Sequence, residues 1–176
     1  MRNLTLLLLL FGTHFIYGQR YQLTEGSIHF FSSAPMEDIE AINKSPQSVI
    51  DLSTGEMAYS VKIKNFKFEK SLMEEHFNEN YLESEKFPKS TFTGKFTVWN
   101  KQKGKQEVTV AGTMTIHGIA QEVSVKGTID YNGDEAKIYA KFPIALADYK
   151  VKIPKALFYN IAESVEVTVD LQYSKL

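Results

Sequence analysis

Over most of the chain apolar and polar residues alternate with a period of two, the spacing of a strand that buries one face. Ser27–Ser32 puts Ile28 and Phe30 on one side. Ser48–Ser53 and Glu56–Asn65 read as a hairpin about Thr54–Gly55, with Met57, Tyr59, Val61 and Ile63 in step. Thr91–Asn100 alternates through Phe92, Gly94, Phe96 and Val98. Beyond the polar turn KQKGKQ, Glu107–His117 does so through Val108, Val110, Gly112, Met114 and Ile116. Glu122–Tyr131 and Lys137–Leu146 flank Asn132-Gly133-Asp134, a hairpin turn whose Asn and Gly tolerate positive φ. Glu163–Tyr173 closes the series through Val165, Val167, Val169, Leu171 and Tyr173. Eight antiparallel strands joined mainly by short turns predict an all-β protein, best closed as an up-and-down barrel that leaves no free edge; a two-sheet sandwich is the competing architecture. Glycines 94, 112 and 127 fall on apolar-face positions, where they lighten the interior, ease strand curvature or mark bulges.

One stretch departs from this pattern. In LMEEHFNENYLESEKFP (72–88) the apolar residues Met73, Phe77 and Tyr81 recur at helical spacing. Glu75, Glu79 and Glu83 form a second stripe roughly 200° away on the same helix. The predicted element is an amphipathic helix over about residues 70–83 that covers the barrel, after the third strand. Asn78 and Asn80 are mediocre helix formers and permit a break into two short helices. Pro88 fits the threshold of the next strand, where a missing N–H costs little.

The 176 residues suit one domain large enough to enclose a core or a cavity, without internal repeat or linker. A formal charge of −1 and the lack of a basic cluster with interleaved aromatics turn the reading away from nucleic acid. Residues 1–18, MRNLTLLLLLFGTHFIYG, have the form of a secretory signal peptide: Arg2, then a short apolar run, then Gly18 before the expected cut. The run is well short of the roughly 20 apolar residues that span a bilayer. The mature domain is then 19–176, in the periplasm or secreted. The chain has no cysteine, so disulfides, thiolate nucleophiles and cysteine metal ligands are all excluded.

Candidate chemistry is sparse. His76 and Glu79 are helical neighbours, but a metal site needs three or four converging ligands, and His29 and His117 fall on distant strands. His76 is expected to make a flanking polar contact or a weak pair with Glu79. No G-x-S-x-G and no phosphate-cradling glycine loop occurs. His117 beside Gly118 reads as turn hydrogen bonding, and Asp148-Tyr149-Lys150 as a polar break at a barrel end. No catalytic residue, metal or cofactor is expected, and the protein is read as a non-enzyme.

SIHFFSSAPMEDIEAINKS (27–45), LMEEHFNENYLESEKFPKSTFTGKF (72–96), TMTIHGIAQEV (113–123) and DYKVKIP (148–154) together resemble the YceI-like family, in order and over nearly the whole mature chain. The segment from His76 through Pro88 to Phe92 is similar to that family's H-L-x-S-x-x-F-x-x-x-x-y-P-x-x-x-F block, and Thr115-Ile116-His117-Gly118 to its T-I-H-G. The resemblance implies a lipocalin-like barrel of eight strands, usually exported in bacteria, with a long isoprenoid lipid in a tunnel. Leu72-Met73-Glu74-Glu75 stands where family members commonly carry an arginine–aspartate pair, and no arginine flanks Asp148-Tyr149-Lys150. Headgroup recognition through those groups is therefore not expected.

The leading expectation is a polyisoprenoid or quinone carrier whose apolar tunnel removes ligand surface from water. Its lining is expected from Phe30, Met57, Val61, Ile63, Phe66, Phe68, Phe92, Phe96, Val98, Met114, Ile116 and Phe142 of the barrel and Leu72, Met73, Phe77 and Tyr81 of the covering helix. Transient membrane contact and a homodimer are both compatible with this. The alternative is a barrel with a filled interior that binds another protein through its outer face.

Overall fold

The computed structural model describes residues 19–33, 38–153 and 162–176; the leader reading of residues 1–18 lies outside them. The strands are β1 (Arg20–Ser32), β2 (Ile39–Asn43), β3 (Gln47–Asp51), β4 (Glu56–Lys62), β5 (Lys67–Phe68), β6 (Lys89–Val98), β7 (Gly104–Ile116), β8 (Ile119–Tyr131), β9 (Glu135–Ala145) and β10 (Ser164–Lys175). Every pairing is antiparallel, and β1 meets β10 along one edge and both β2 and β3 along the other. β2 and β3 are thus two pieces of one stave, interrupted at Lys44–Pro46. β4 and β5 are likewise one stave, interrupted by a 3-10 turn at Ile63–Asn65. The result is a closed antiparallel barrel of eight staves.

The observed strands exceed the alternation in two places, for local reasons. β1 starts at Arg20 rather than Ser27 because a bulge at Leu23–Glu25 shifts its phase by one: Tyr21 and Leu23 face in before it, Gly26 and Ile28 after it. β2 carries little hydrophobic signal because its two buried positions are Ala41 and Asn43. Asn43 is fully buried and staples the interrupted staves together: its Nδ2 donates to Lys62 O at 2.9 Å, while its Oδ1 accepts the Ser45 N–H at 3.0 Å.

Gly94 and Gly112 face each other across β6 and β7 in regular register, so neither is a bulge. A Cβ on Gly112 would run into the Thr93 carbonyl and the Gly94 Cα, and one on Gly94 would come within 2.5 Å of Ala111 O. The two strands approach too closely there for any side chain, which lets the sheet coil tightly. The bulge lies further on, between Phe96 and Val98.

β8 and β9 share rungs only from Gly127↔Ala140 to Tyr131↔Ala136. Nearer the opposite end they splay, and Gln121 Nε2 bridges to Asp148 O at 2.8 Å instead.

The interior divides in two. At one end Tyr21, Ile50, Leu52, Phe96, Ile129, Tyr131 and Tyr173 form a filled cluster, where Tyr21 Oη donates to Gly133 O at 2.7 Å. At the other end Ile28, Ala41, Val61, Phe66 and Val167 form a second cluster with Phe30, Phe68, Phe77 and Phe142 half-buried against it. Tyr59 and Val169 touch both.

Candidate functional site

The second cluster surrounds a cavity of about 480 Å3. Its wall is built by the alternation itself: successive inward positions such as Met57, Tyr59 and Val61 on β4, Phe142 and Ile144 on β9, and Val165, Val167 and Val169 on β10. No Asp, Glu, Lys or Arg is among the lining residues; Ser32, His76, Ser90 and Thr91 and three tyrosines supply the polar groups.

Over the cavity lies α1 (Ser71–His76), which widens into π-helical geometry at Phe77–Tyr81. The widening has a local cause: Asn78 turns its side-chain amide back onto Glu74 O at 2.8 Å, and Leu82 N–H reaches Phe77 O. Met73, Phe77 and Tyr81 all face the cavity, while Glu75 and Glu79 are exposed, as the opposed stripes require. Phe77 closes a four-ring group, stacked on Phe30 (centroids 5.5 Å, 24°), tilted against Phe68 at 5.0 Å and edged by Phe66 at 5.6 Å. Burial pushes the Tyr81 hydroxyl pKa up.

The end of the helical segment is tied to the barrel by His117. This residue adopts φ 51° in the β7–β8 turn, followed by Gly118 at φ 72°, where a Cβ would strike the Phe87 ring. The His117 ring stands edge-on to Phe87 at 4.6 Å. Its Nδ1 lies 3.2 Å from Tyr149 O and its Nε2 2.7 Å from Glu83 Oε2; both partners are acceptors, so each contact needs a ring N–H. The bond from His117 holds the Glu83 carboxyl below its usual range against the opposing effect of burial, and the Lys86 and Lys152 charges add to it. The turn reading of His117 is therefore incomplete: its partners lie 32 and 34 residues away along the chain and join three segments at the cavity mouth.

Of the residues expected to line the cavity, all but Phe96 and Val98 do so. Phe96 is buried in the filled end. Val98 is 57 % exposed because the bulge before it reverses the inside–outside phase. His76 is one of the lining residues, while Glu79 is exposed. The lining also contains Tyr59, Tyr149 and the valines of β10, which the expected set omits. Their signal was present, since Tyr59 shares a face with Met57 and Val61, and β10 alternates throughout. Among the described residues no cluster of three or more metal-ligating side chains occurs, and no helix is long and apolar enough to cross a membrane.

A closed barrel with an apolar internal cavity under a short helix is an architecture that can hold one small apolar molecule. The chain belongs to the YceI-like domain family, whose model matches residues 18–173. Among solved structures it is similar to a polyisoprenoid-binding domain from Saccharophagus degradans implicated in plant cell wall breakdown (TM-score 0.76, 16% identity, 89% of this chain and 98% of that one). It is also similar to BcnA of Burkholderia cenocepacia (TM-score 0.71, 19% identity, 84% and 95%). A third is the YceI protein of Campylobacter jejuni (TM-score 0.60, 15% identity, 75% and 81%). At these identities the likeness is one of fold. No curated protein matches the sequence.

Proposed function

We propose that this protein is an exported, non-catalytic carrier that holds a polyisoprenoid lipid, such as an isoprenoid quinone, in the barrel cavity. The observation that carries this reading is a cavity of about 480 Å3 lined without any charged carboxylate, ammonium or guanidinium group. Such a space favours apolar chains, at roughly 25 cal/mol per Å2 of surface withdrawn from water, and disfavours ionic reactants. It argues against the filled barrel that a purely protein-binding module would have. The polyisoprenoid-binding description of the Saccharophagus degradans domain supports the choice of lipid class.

Export rests on Arg2 and the leucine run that follows it. Leu72, 59 % exposed at the cavity mouth, offers a point of passing contact with a membrane surface during loading. Organic extraction of protein purified from its native host, followed by mass spectrometry, tests the carrier reading: a near-stoichiometric isoprenoid is expected. A lipid-free extract, with no uptake from isoprenoid-containing vesicles, would overturn it. Fractionation with N-terminal sequencing tests export, and an intact Met1 chain in the cytosol would refute it.

A further inference from the structure

His117 holds the cavity mouth through two bonds that a neutral imidazole cannot make together. Its Nε2 lies 2.7 Å from Glu83 Oε2 and its Nδ1 3.2 Å from Tyr149 O. A carboxylate and a carbonyl oxygen only accept, and a neutral ring carries one N–H. Both bonds therefore require the doubly protonated, charged ring. Only 12 % of the side chain is exposed, and Phe87 stands edge-on to it at 4.6 Å. His117 and Glu83 also hold left-handed φ angles of 51° and 43°. Such backbone persists where its surroundings over-determine it, so the pairing of these two residues is built into both turns.

Each member of this group adjoins the cavity wall. Leu82, at the end of the π turn, precedes Glu83; Ile116 precedes His117; and Tyr149 itself is part of the lining. A ring that loses its charge keeps one N–H. That proton stays with Glu83, whose bond is shorter and has an ionised acceptor. Nδ1 then turns a lone pair on Tyr149 O, and two acceptors face each other with no proton between them. The 3-10 turn Leu146–Tyr149 loses its tie to the β7–β8 turn and keeps the bond from Gln121 Nε2 to Asp148 O. The other ionisable groups around the site are Lys86 and Lys152, whose charges act on Glu83, and Asp148, Tyr149 and Lys150. Burial, and then the Asp148 charge, push the Tyr149 hydroxyl pKa up. Of these residue types, histidine is the one that ordinarily changes charge between about pH 5 and 8.

We propose that His117 is a pH-operated latch on the cavity mouth. Charged, it clamps both the turn after the covering helix and the 3-10 turn of Tyr149; uncharged, it keeps the first and frees the second. The sign follows from the proton count. A contact that needs the charged ring is complete on the acid side of the imidazole range and is lost as pH rises through it. Glu83 stays ionised across that range, because the bond from His117 holds its carboxyl below the ordinary value of 4.5. The latch rests on the geometry of the mouth alone. The carrier reading gives it a use: freeing Tyr149 loosens the wall where an occupant would enter and leave, so exchange is faster at the alkaline end.

The test uses ligand-free protein, so its failure would leave the carrier reading standing. Nitrogen-15 NMR of the imidazole rings should show both His117 nitrogens protonated at about pH 5.5 and Nε2 alone at about pH 8.5. Over that interval, corrected for the intrinsic pH dependence of exchange, the Lys150 and Val151 amides should lose protection. These amides bond to Ala147 O and Leu146 O, and the loss should be about tenfold, the effect of one bond to a charged group. The Phe87 amide, bonded to Glu83 O, and the Leu52 amide at the closed end should keep their protection. His117→Gln carries no titrating group, so its Lys150 and Val151 protection should not vary with pH. Glu83→Gln removes the counter-charge and should move the wild-type fall to lower pH. A His117 ring with one proton at pH 5.5, or with two at pH 8.5, would overturn the proposal, as would unchanged wild-type protection at Lys150 and Val151. A fall that survives in His117→Gln would also overturn it, by assigning the response to another group such as His76 in the lining or His29 beside Glu40. Should His117→Gln fail to fold, the wild-type measurements and Glu83→Gln decide the matter.

Discussion

If α1 and its π turn cover an occupied cavity, truncating Phe77 should have different consequences with and without lipid. A Phe→Ala change in a filled core costs about 3–5 kcal/mol. Phe77 gains contacts from Phe30, Phe66 and Phe68 on one side but borders the cavity on the other. The ligand-free protein should therefore lose less, about 2–3 kcal/mol, as part of the ring has no packing partner to forfeit. With lipid bound, a ring–ligand contact on the order of 50 Å2 adds roughly 1 kcal/mol of lost binding, or about a fivefold weaker Kd. Under excess ligand this loss appears in the unfolding free energy by linkage. Urea titrations of wild type, Phe77→Ala and the exposed control Glu79→Gln, each with and without lipid, measure both quantities. Glu79→Gln should stay within about 0.5 kcal/mol of wild type in either state. Equal losses of about 3–5 kcal/mol for Phe77→Ala in both states would mean that the helix is simply core and that the ligand does not lie beneath it.

Three further outcomes are expected. Glu83 has a folded pKa below its ordinary value of 4.5, so its contribution to stability is present above that value and disappears as pH falls through the folded one. The difference in urea midpoint between wild type and Glu83→Gln should accordingly shrink on acidification from pH 4.5 downward; a gap that widens would contradict the assignment. Asn43→Leu removes a fully buried amide and leaves the Lys62 carbonyl without its donor, which should cost roughly 1–3 kcal/mol in the same assay. Gly112→Ala drives a methyl group into the Thr93 carbonyl and should destabilise by about 1–3 kcal/mol or more, while Ser124→Ala on the exposed face of β8 should be close to neutral.

The barrel was legible in the sequence because each long strand buries one face, and burial imposes the period of two. Alternation alone, however, says nothing about height along the barrel axis. Phe92 and Phe96 read identically in sequence, yet one borders the cavity and the other fills the closed end. Val98 was misplaced because a bulge leaves no mark in an apolar–polar string. β2 escaped notice because a buried Ala and a buried Asn do not look like a strand face. The helix stripe was readable from spacing, but its π geometry depends on the Asn78 side chain capturing a carbonyl. Whether phenylalanines fill a core or line a space is decided by contacts between distant staves, as in the grouping of Phe30 with Phe66, Phe68 and Phe77. His117 acquires its meaning in the same way, from Glu83 and Tyr149.

The splayed stretch between β8 and β9 gives the wall an uneven mechanical strength. Where the ladder is continuous, as between β6 and β7, β7 and β8, or β9 and β10, parting two staves means unzipping a row of main-chain bonds. Along residues 119–126 of β8 and 141–145 of β9 there is no ladder to unzip, and the join is made by Gln121 to Asp148 and by His117 to Tyr149. Parting this seam is a loop-scale rearrangement that leaves the filled end of the barrel intact. Hydrogen exchange should show it: amides of residues 119–126 that point away from β7 should exchange well before those of 127–131. A slit of this kind runs along the barrel side rather than across its end. If the proposed lipid is held here, a chain longer than the cavity would lie in such a slit lengthwise, and the size of the enclosed space would not limit its length.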